Sequence, residues 1–576
     1  MIDVYVDFES YYDQDYSLKK MPTAQYVRDD RFECQGCAVA IPSMGVRAWL
    51  PDPKPLFDVL PWHDVRLWAH LCQFDGLVLT ERFRHFPAEY ACTMFMARYL
   101  ISQGLVDPAL GTSLKELAPL VGMEKGDLDE AHEAGTLDEY ALLDLDIMVA
   151  LAEKYWPSVP EAERRYIDVH VRMATEPVFD LAVSELQAIA DKDKSVEELF
   201  PLVRKDDKFV AALAALGVQV EYKTTAKGNM KPALAKTDKF MQKILDHDDP
   251  RVVLLAETRQ RAKSTIHRSR AQRFMDVGAP LPAPILYYGA GTGRGSGLDK
   301  LNMQNLPKKG GLRQCIRAPR FHKFAIVDSS QVEVRVNAWL AGQEDLLEDF
   351  RQGRDPYLAF AEFLYDVPYE TLVERHKGED PDTADKRQVA KAAVLALGFM
   401  QGAFGFLAYC EGFGIPMDEP TAKRVVDAYR ARYQKIVAHA RQTYIEVRDT
   451  TQQVLPSGRL LTYPGIHAEG RDLYYRRPRI FSKSAGMDRV KLHPGVTVEN
   501  KVQAVARDAV FGQQVLLTDM GYRVALMVHD EVCLVAEESK AERVLDTAER
   551  AFATPPAWAP DMPLAGEARI TDVYTK

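Results

Sequence analysis

Leu526 to Val535 reads LMVHDEVCLV: an apolar run leads into His529, Asp530 and Glu531, and a second apolar run leads out. Two apolar runs around a short polar break predict a β-hairpin with carboxylates at its tip. Acidic side chains at the end of buried strands repel each other, and burying them is costly unless a cation sits beside them. A second strand of this kind, FAIVD at Phe324–Asp328, also ends on an acid, 202 residues before Asp530. If the two strands are neighbours, Asp328 and Asp530 meet at one end of a sheet and clamp a metal pair. Phosphoryl transfer uses such a pair to activate a hydroxyl nucleophile and neutralise a leaving pyrophosphate.

The rest of the chain constrains where such a sheet sits. At 576 residues it exceeds one core, so two to four domains are expected. Its 47% hydrophobic and 27% charged residues fit an ordinary soluble protein. No apolar run reaches the ~18 residues of a membrane span. The start, MIDVYVDFES, lacks the features of a secretory signal. Seven scattered cysteines argue against a disulfide framework and for a reducing cytoplasm, and the lone CxxC of Cys34 and Cys37 reads as a strand with buried thiols.

The net charge of −10 alone speaks against nucleic acid, but its distribution reverses that reading. From Arg251 to Lys323 there are fifteen Lys and Arg against three Asp and Glu, a local +12 that leaves −22 for the remainder. A basic groove for phosphates is the expected consequence.

Residues 1–160 alternate short strands and helices, an α/β pattern. The text is then mostly helical to about 285, and is broken by the Gly- and Pro-bearing segment YYGAGTGRGSGLDKLNMQNLPKKGGLRQ. A helix-rich block covers about 331–450, and strands return near VLPSGRLLTYPGI. In IDVYVDFES, alternation places Asp7 and Glu9 on one face of a half-buried strand. Asp75 ends LWAHLCQFD, and the helix EYALLDLDIM puts Tyr140 and Asp144 one turn apart on the same face. Four carboxylates and a tyrosine can hold two Mg²⁺ ions and orient a water. In KRQVAKAAVLALGF, Arg387, Lys391, Leu395 and Phe399 fall at four-residue steps, offering two cations and an apolar surface to a triphosphate and a base.

The first set resembles the DEDD 3′–5′ exonucleases of the tyrosine subtype: Asp7 and Glu9 match the first motif, Asp75 the second, Tyr140 and Asp144 the third. Leu71 stands where that second motif usually has Asn. The second set resembles the three polymerase motifs of family A DNA polymerases, compact bacteriophage enzymes above all. DSSQVE supplies Asp328 and the Ser329 carbonyl as metal ligands, the Arg387–Lys391 helix is the second motif, and VHDEV supplies Asp530, with Glu531 in support. TGRGSGLDKLNMQNLP resembles the primer-template element and implies DNA contacts for Arg294, Gln304 and Asn305. LPSGRLLTY, ENKVQAVARD and the hairpin add Arg459, Gln503 and His529.

The resemblance implies an α/β multidomain chain, an RNase H-like exonuclease domain followed by a right-hand polymerase. The expected boundaries are exonuclease 1–160, thumb 161–290, first part of the palm 291–340, fingers 341–450 and second part of the palm 451–576. It implies DNA-directed DNA polymerase activity with 3′–5′ proofreading in the replication of phage DNA, in the cytoplasm of an infected bacterial host. Two Mg²⁺ per active site, with Mn²⁺ as an alternative, and primer-template DNA and dNTPs are the implied cofactors and partners. No membrane is involved, the protein is expected to be a monomer, and no processivity factor is evident. No 5′-nuclease domain is expected before the exonuclease, and the thumb reads as too short for the insertion that recruits a host processivity protein.

Gln331, Glu333, Tyr357, Arg387, Lys391, Leu395 and Phe399 become the nucleotide-binding set. Glu333 is the steric gate against a ribose 2′-hydroxyl, and its spacing from Ser330 also fits a helix capping box. Tyr357 stands where many relatives carry a phosphate-binding His. Leu395 replaces the usual Phe or Tyr and implies rejection of dideoxynucleotides. A single-subunit RNA polymerase and a non-catalytic DNA-binding scaffold are the alternative readings.

Overall fold

The computed structural model describes residues 1–126, 128–192, 198–224, 229–235, 238–263, 266–478 and 486–575. Ser264 and Thr265, inside the basic stretch RQRAKSTIHRSRAQR, lie outside them. Among the described residues, no helix is long and apolar enough to cross a membrane.

The chain divides into two compact units. The first comprises residues 1–178, 282–305 and 318–572. Its N-terminal part is a five-stranded sheet ordered Val46–Leu50, Cys34–Ile41, Ile2–Ser10, Val65–Ala69, Glu89–Cys92. The first three strands pair antiparallel and the last three parallel. Alternation in Ile2–Ser10 buries Val4, Val6 and Phe8. Cys37 is fully buried in the neighbouring strand as the apolar text around it predicts, whereas Cys34, expected to be buried too, is only partly so at the strand's start.

A second sheet in this unit brings together segments far apart in sequence. Its order is Arg523–Val528, Glu531–Glu537, His322–Ser329, Gly566–Thr571, all antiparallel. Phe324, Ala325, Ile326 and Val327 are all fully buried, so this central strand is covered on both faces. Helix Ala541–Ala553 packs on it. The helical block between the two halves of this sheet has its own core, from Val334 to Ile436, centred on Phe360, Tyr429 and Tyr433.

The second unit comprises 179–281, 306–317 and 573–576. Helices Val183–Asp191 and Ile266–Val277 pack together, and Phe200, Phe209, Leu213, Phe240 and Ile244 form a core. Ile316–Arg317 pairs with Asp180–Leu181, and Val573 bridges to Arg317.

The two compact units are drawn along other lines than the expected domains. The helix Glu161–Thr175 and residues 282–290, read as thumb, belong to the first unit; 306–317 and 573–576, read as palm, belong to the second. Two of the three acids in this helix, Glu163 and Asp168, are buried. Glu163 receives Arg507 through two hydrogen bonds of 2.6 and 2.8 Å, and its partner's side chain is only 1% exposed. Asp508, Arg459 and Tyr288 extend this buried network, and Tyr287 donates to Glu163.

Part of the positive charge of Arg251–Lys323 is also neutralised inside each unit. Arg259 is buried, donates to Asp206 and the Val203 carbonyl, and lies over the Phe209 ring. Arg313 donates to the Leu306 carbonyl, and Lys323 pairs with Asp572.

Breaking a buried ion pair leaves an uncompensated charge. Glu163→Leu should therefore destabilise the protein by about 3–5 kcal/mol, and the double variant with Arg507→Leu by less. Calorimetric melting of wild type, both single variants and the double variant checks this.

Candidate active sites

Antiparallel pairing sets the first constellation. Asp328 lies directly opposite Glu531 on one side and Glu567 on the other, so three carboxylates form a row across three strands. Directly paired residues share a face with Cβ atoms roughly 4.5–5.5 Å apart, and like charges there repel. The two outer acids of the row have the following partners. Glu531 is buried, 1% exposed at its side chain, and takes Arg569 at 2.8 Å. Glu567 accepts from the Ser330 hydroxyl. Asp328 is the middle member of the row.

The hairpin turn delivers the fourth acid. His529 takes a left-handed backbone, φ 57°, which turns the chain between Val528 and Glu531. The Asp530 carbonyl accepts from Ser329 N–H at 2.9 Å, which locks the turn beside the end of the Asp328 strand. The tip therefore carries one carboxylate at the surface, Asp530, while Glu531 points into the sheet. The expected meeting of the strands bearing Asp328 and Asp530 is present, and Glu567 is an acid the sequence reading missed. Its segment, LAGEARIT, alternates polar and apolar residues from Glu567 on but is short.

The Ser330–Glu333 capping box is not formed. Helix Val332–Ala341 starts at Gln331 in a left-handed conformation with no side-chain cap. Ser330 is bound to Glu567, and Glu333 pairs with Arg294 at 2.7 Å.

Arg387 and Lys391 lie on helix Pro381–Leu397 as expected, with Leu395 half-buried behind them. Phe399 lies two residues beyond the end of this helix at Leu397, and Met400 then takes a left-handed backbone, φ 63°. Asp355 receives Arg387 at 2.7 Å and also caps helix Pro356–Tyr365 through Tyr357 N–H. The Tyr357 ring is buried beneath both cations, 5.2 Å from Arg387 and 5.7 Å from Lys391. Burial and the neighbouring Asp355 push its hydroxyl up to about 12.

The DNA-contact candidates divide. His529 and Asn305 are exposed, Gln503 is half-exposed and donates to Glu499 at 3.2 Å, and Gln304 is buried. Arg459 is withdrawn from this set. Its guanidinium donates to Asp508, Tyr288, and the carbonyls of Thr292 and Ala504, and its side chain is 5% exposed. A basic residue in a Gly-Arg turn gives no sign in sequence that its partners lie inside.

The second constellation lies in the N-terminal sheet and its helices. Asp7 and Glu9 are on Ile2–Ser10, Asp75 on helix Cys72–Val78, and Tyr140 and Asp144 on helix Leu137–Tyr155. Asp75 accepts from Phe8 N–H at 3.1 Å, which ties the second acid to the strand of the first. Leu71 precedes that helix in a left-handed conformation, φ 57° and ψ 51°. Asn tolerates this region and Leu does not, which gives a backbone reason for the Asn usual there and a cost of roughly 1–2 kcal/mol for Leu71.

Asp7, Glu9, Tyr140 and Asp144 line a cavity of about 1260 Å³, with Tyr12, Lys19, Lys20, Leu71, Phe74 and Lys115 also on its wall.

Burial raises every acid of this set. Asp7 is held well above the carboxylate range by desolvation and then by Asp144, Asp75 and Glu9. Glu9 is raised to about 7 by burial and Asp144, and Asp75 to about 8 by burial against the Phe8 hydrogen bond. Asp144 is raised by burial, opposed by Lys125. This lysine was missed in sequence; it forms an ion pair with Asp144.

Among the described residues, no three Asp, Glu, His or Cys side chains close into a ready-made metal cage. The donors nevertheless suit a hard cation, because Asp7 Oδ2 and Asp144 Oδ1 are buried with no hydrogen-bond partner.

Residues 213–576 match the family model for "DNA polymerase family A". The chain is 32% identical over 279 residues to the DNA polymerase of Bacillus phage SP02, a match covering 44% of this chain and 41% of that one. It is 27% identical over 339 residues to DNA polymerase I of Pseudomonas aeruginosa, covering 58% of this chain and 34% of that one. The chain thus spans well under half the length of these relatives. In fold it resembles the POL domain of Pol1 from M. smegmatis, solved in complex with DNA primer-template and dNTP. The TM-score is 0.69 at 16% identity, over 100% of this chain and 95% of that one.

Raised carboxylates mean that the folded, metal-free protein holds protons which the unfolded chain releases near pH 4. The stability they allow is complete below that pH and is lost as pH rises through about 7 to 8. In EDTA the melting temperature should fall between pH 5 and 8.5, and Mg²⁺ should restore it most at the higher pH. Paired melts across that range check the sign; a constant gap between EDTA and Mg²⁺ contradicts it.

Proposed function

The chain belongs to DNA polymerase family A, and from that membership we propose that it is a DNA-directed DNA polymerase with a 3′–5′ proofreading exonuclease. One observation carries the reading. The Glu531–Asp328–Glu567 row and the adjoining Asp530 lie within residues 213–576, the stretch that matches the family. The M. smegmatis neighbour, bound to primer-template and dNTP, supports the substrate class. The phage SP02 relative supports a role in phage DNA replication.

In this reading Asp328, Asp530 and the Ser329 carbonyl hold divalent cations at the polymerase site, and Asp7, Glu9, Asp75 and Asp144 hold them at the exonuclease site. Mg²⁺, with Mn²⁺ as an alternative, would neutralise phosphate oxygens and favour the deprotonated nucleophile there. Arg569 keeps Glu531 out of that role by pairing with it inside the sheet. Arg387 and Lys391 bind the triphosphate. Asp355 aims Arg387, and Tyr357, unable to carry positive charge itself, supports both cations with its ring face.

Leu395, Phe399 and Gln331 border the nucleotide, and Glu333 crowds the 2′ position of its sugar. Arg294, held by Glu333 in the free protein, contacts primer-template together with Gln304, Asn305, Gln503 and His529. At the exonuclease site Tyr140 orients the attacking water.

The two sites have separate ligands, so they should be separable. Asp530→Asn should lower primer extension at least a hundredfold, a loss of ~2.7 kcal/mol of transition-state stabilisation, and spare primer degradation. Asp7→Ala should abolish degradation and spare extension. Both activities are read on one end-labelled primer-template. Loss of both from either folded variant contradicts the two-site assignment.

A further inference from the structure

Lys125 has no place in the motifs above, yet it sits inside the N-terminal carboxylate cluster. Between Lys115 and Lys154 it is the single Lys or Arg against eleven Asp and Glu. Its side chain is 9% exposed, its ammonium is paired with Asp144 Oδ2, and the same nitrogen lies 4.2 Å over the centre of the Tyr140 ring. It therefore touches both residues that the third exonuclease motif supplies. The other oxygen of Asp144, and Oδ2 of Asp7, are buried without partners.

A buried carboxylate group of this density ionises readily only beside a cation. One ammonium satisfies one oxygen and leaves two orphaned. A divalent cation with six or more oxygen ligands would satisfy more of them. The two cations have overlapping claims on Asp144.

We infer that Lys125 is the resident counter-ion of the exonuclease carboxylates, a latch on Asp144 that a divalent cation must displace. The inference rests on the exonuclease reading above. Lys125 is a positioning residue: it holds Asp144 and Tyr140 in register without metal, and it withdraws from Asp144 when metal enters. Once displaced, the ammonium remains at the wall of a cavity that already carries Lys19, Lys20 and Lys115, where a phosphodiester can take it.

Two measurements on the full chain test this. The first is Mn²⁺ binding followed by electron paramagnetic resonance of the free ion. The component of binding lost in Asp7→Ala defines the exonuclease site; if nothing is lost, the exonuclease reading itself fails, independently of Lys125. Within that component, Lys125→Met should tighten Mn²⁺ at least about fivefold, equivalent to ~1 kcal/mol, because a competitor has gone. In EDTA the same variant should melt below wild type, and saturating Mn²⁺ should erase the difference. A merely structural lysine predicts weaker binding on removal. Unchanged or weaker Mn²⁺ binding by folded Lys125→Met overturns the inference.

The second measurement uses wild type and needs no variant to fold. Acetylation of Lys125 by acetic anhydride, read by peptide mass spectrometry, should accelerate several-fold when Mn²⁺ replaces EDTA. Equal rates with and without Mn²⁺ overturn the inference as well.

Discussion

Like charge concentrated at the ends of buried strands is the constraint on which the rest of this structure depends. The register His322–Ser329 against Glu531–Glu537 and Gly566–Thr571 fixes Asp328 between Glu531 and Glu567. A slip of one residue in either pairing would turn Asp328 to the opposite face. The register is held from behind by the apolar run Phe324–Val327, which is buried on both faces and cannot shift without exposing core. Hydrophobic packing thus positions charges that would not assemble unaided. Each neighbour of Asp328 has a partner of its own, Arg569 for Glu531 and Ser330 for Glu567.

The N-terminal site meets the same problem by different means. Its acids come from one strand and two helices rather than one sheet, and they are buried more deeply. Deep burial makes each carboxylate hard to ionise without a cation. Lys125, on the loop before helix Leu128–Ala134, supplies a local one. A third charged assembly, Glu163 with Arg507, Asp508 and Arg459, is buried. It ties the helix Glu161–Thr175 to the long helix Pro494–Asp519.

What was legible in the sequence follows from this physics. Strand runs that end on an acid, as at Asp328 and Asp530, are readable because a long apolar run next to a charge stands out in the text. The Arg387–Lys391 face is readable because helical spacing is regular over that length. Tyr140 and Asp144 are readable for the same reason.

Partners distant in sequence are not readable. Arg459 looked like a DNA contact and is a buried strut, because nothing local announces Asp508 or Tyr288. Ser330 and Glu333 had the spacing of a cap, but tertiary partners, Glu567 and Arg294, outcompeted it. Nothing local shows what Glu567 and Lys125 face, and only the fold reveals it.

The central claim is that two carboxylate clusters in one chain each hold divalent cations. Anomalous diffraction from Mn²⁺-soaked crystals of the full chain tests it most directly. The account predicts one set of peaks between the carboxylates of Asp328 and Asp530 and a second set among Asp7, Glu9, Asp75 and Asp144, with Lys125 moved off Asp144. Well-ordered carboxylates at either cluster with no Mn²⁺ peak under saturating metal would contradict it.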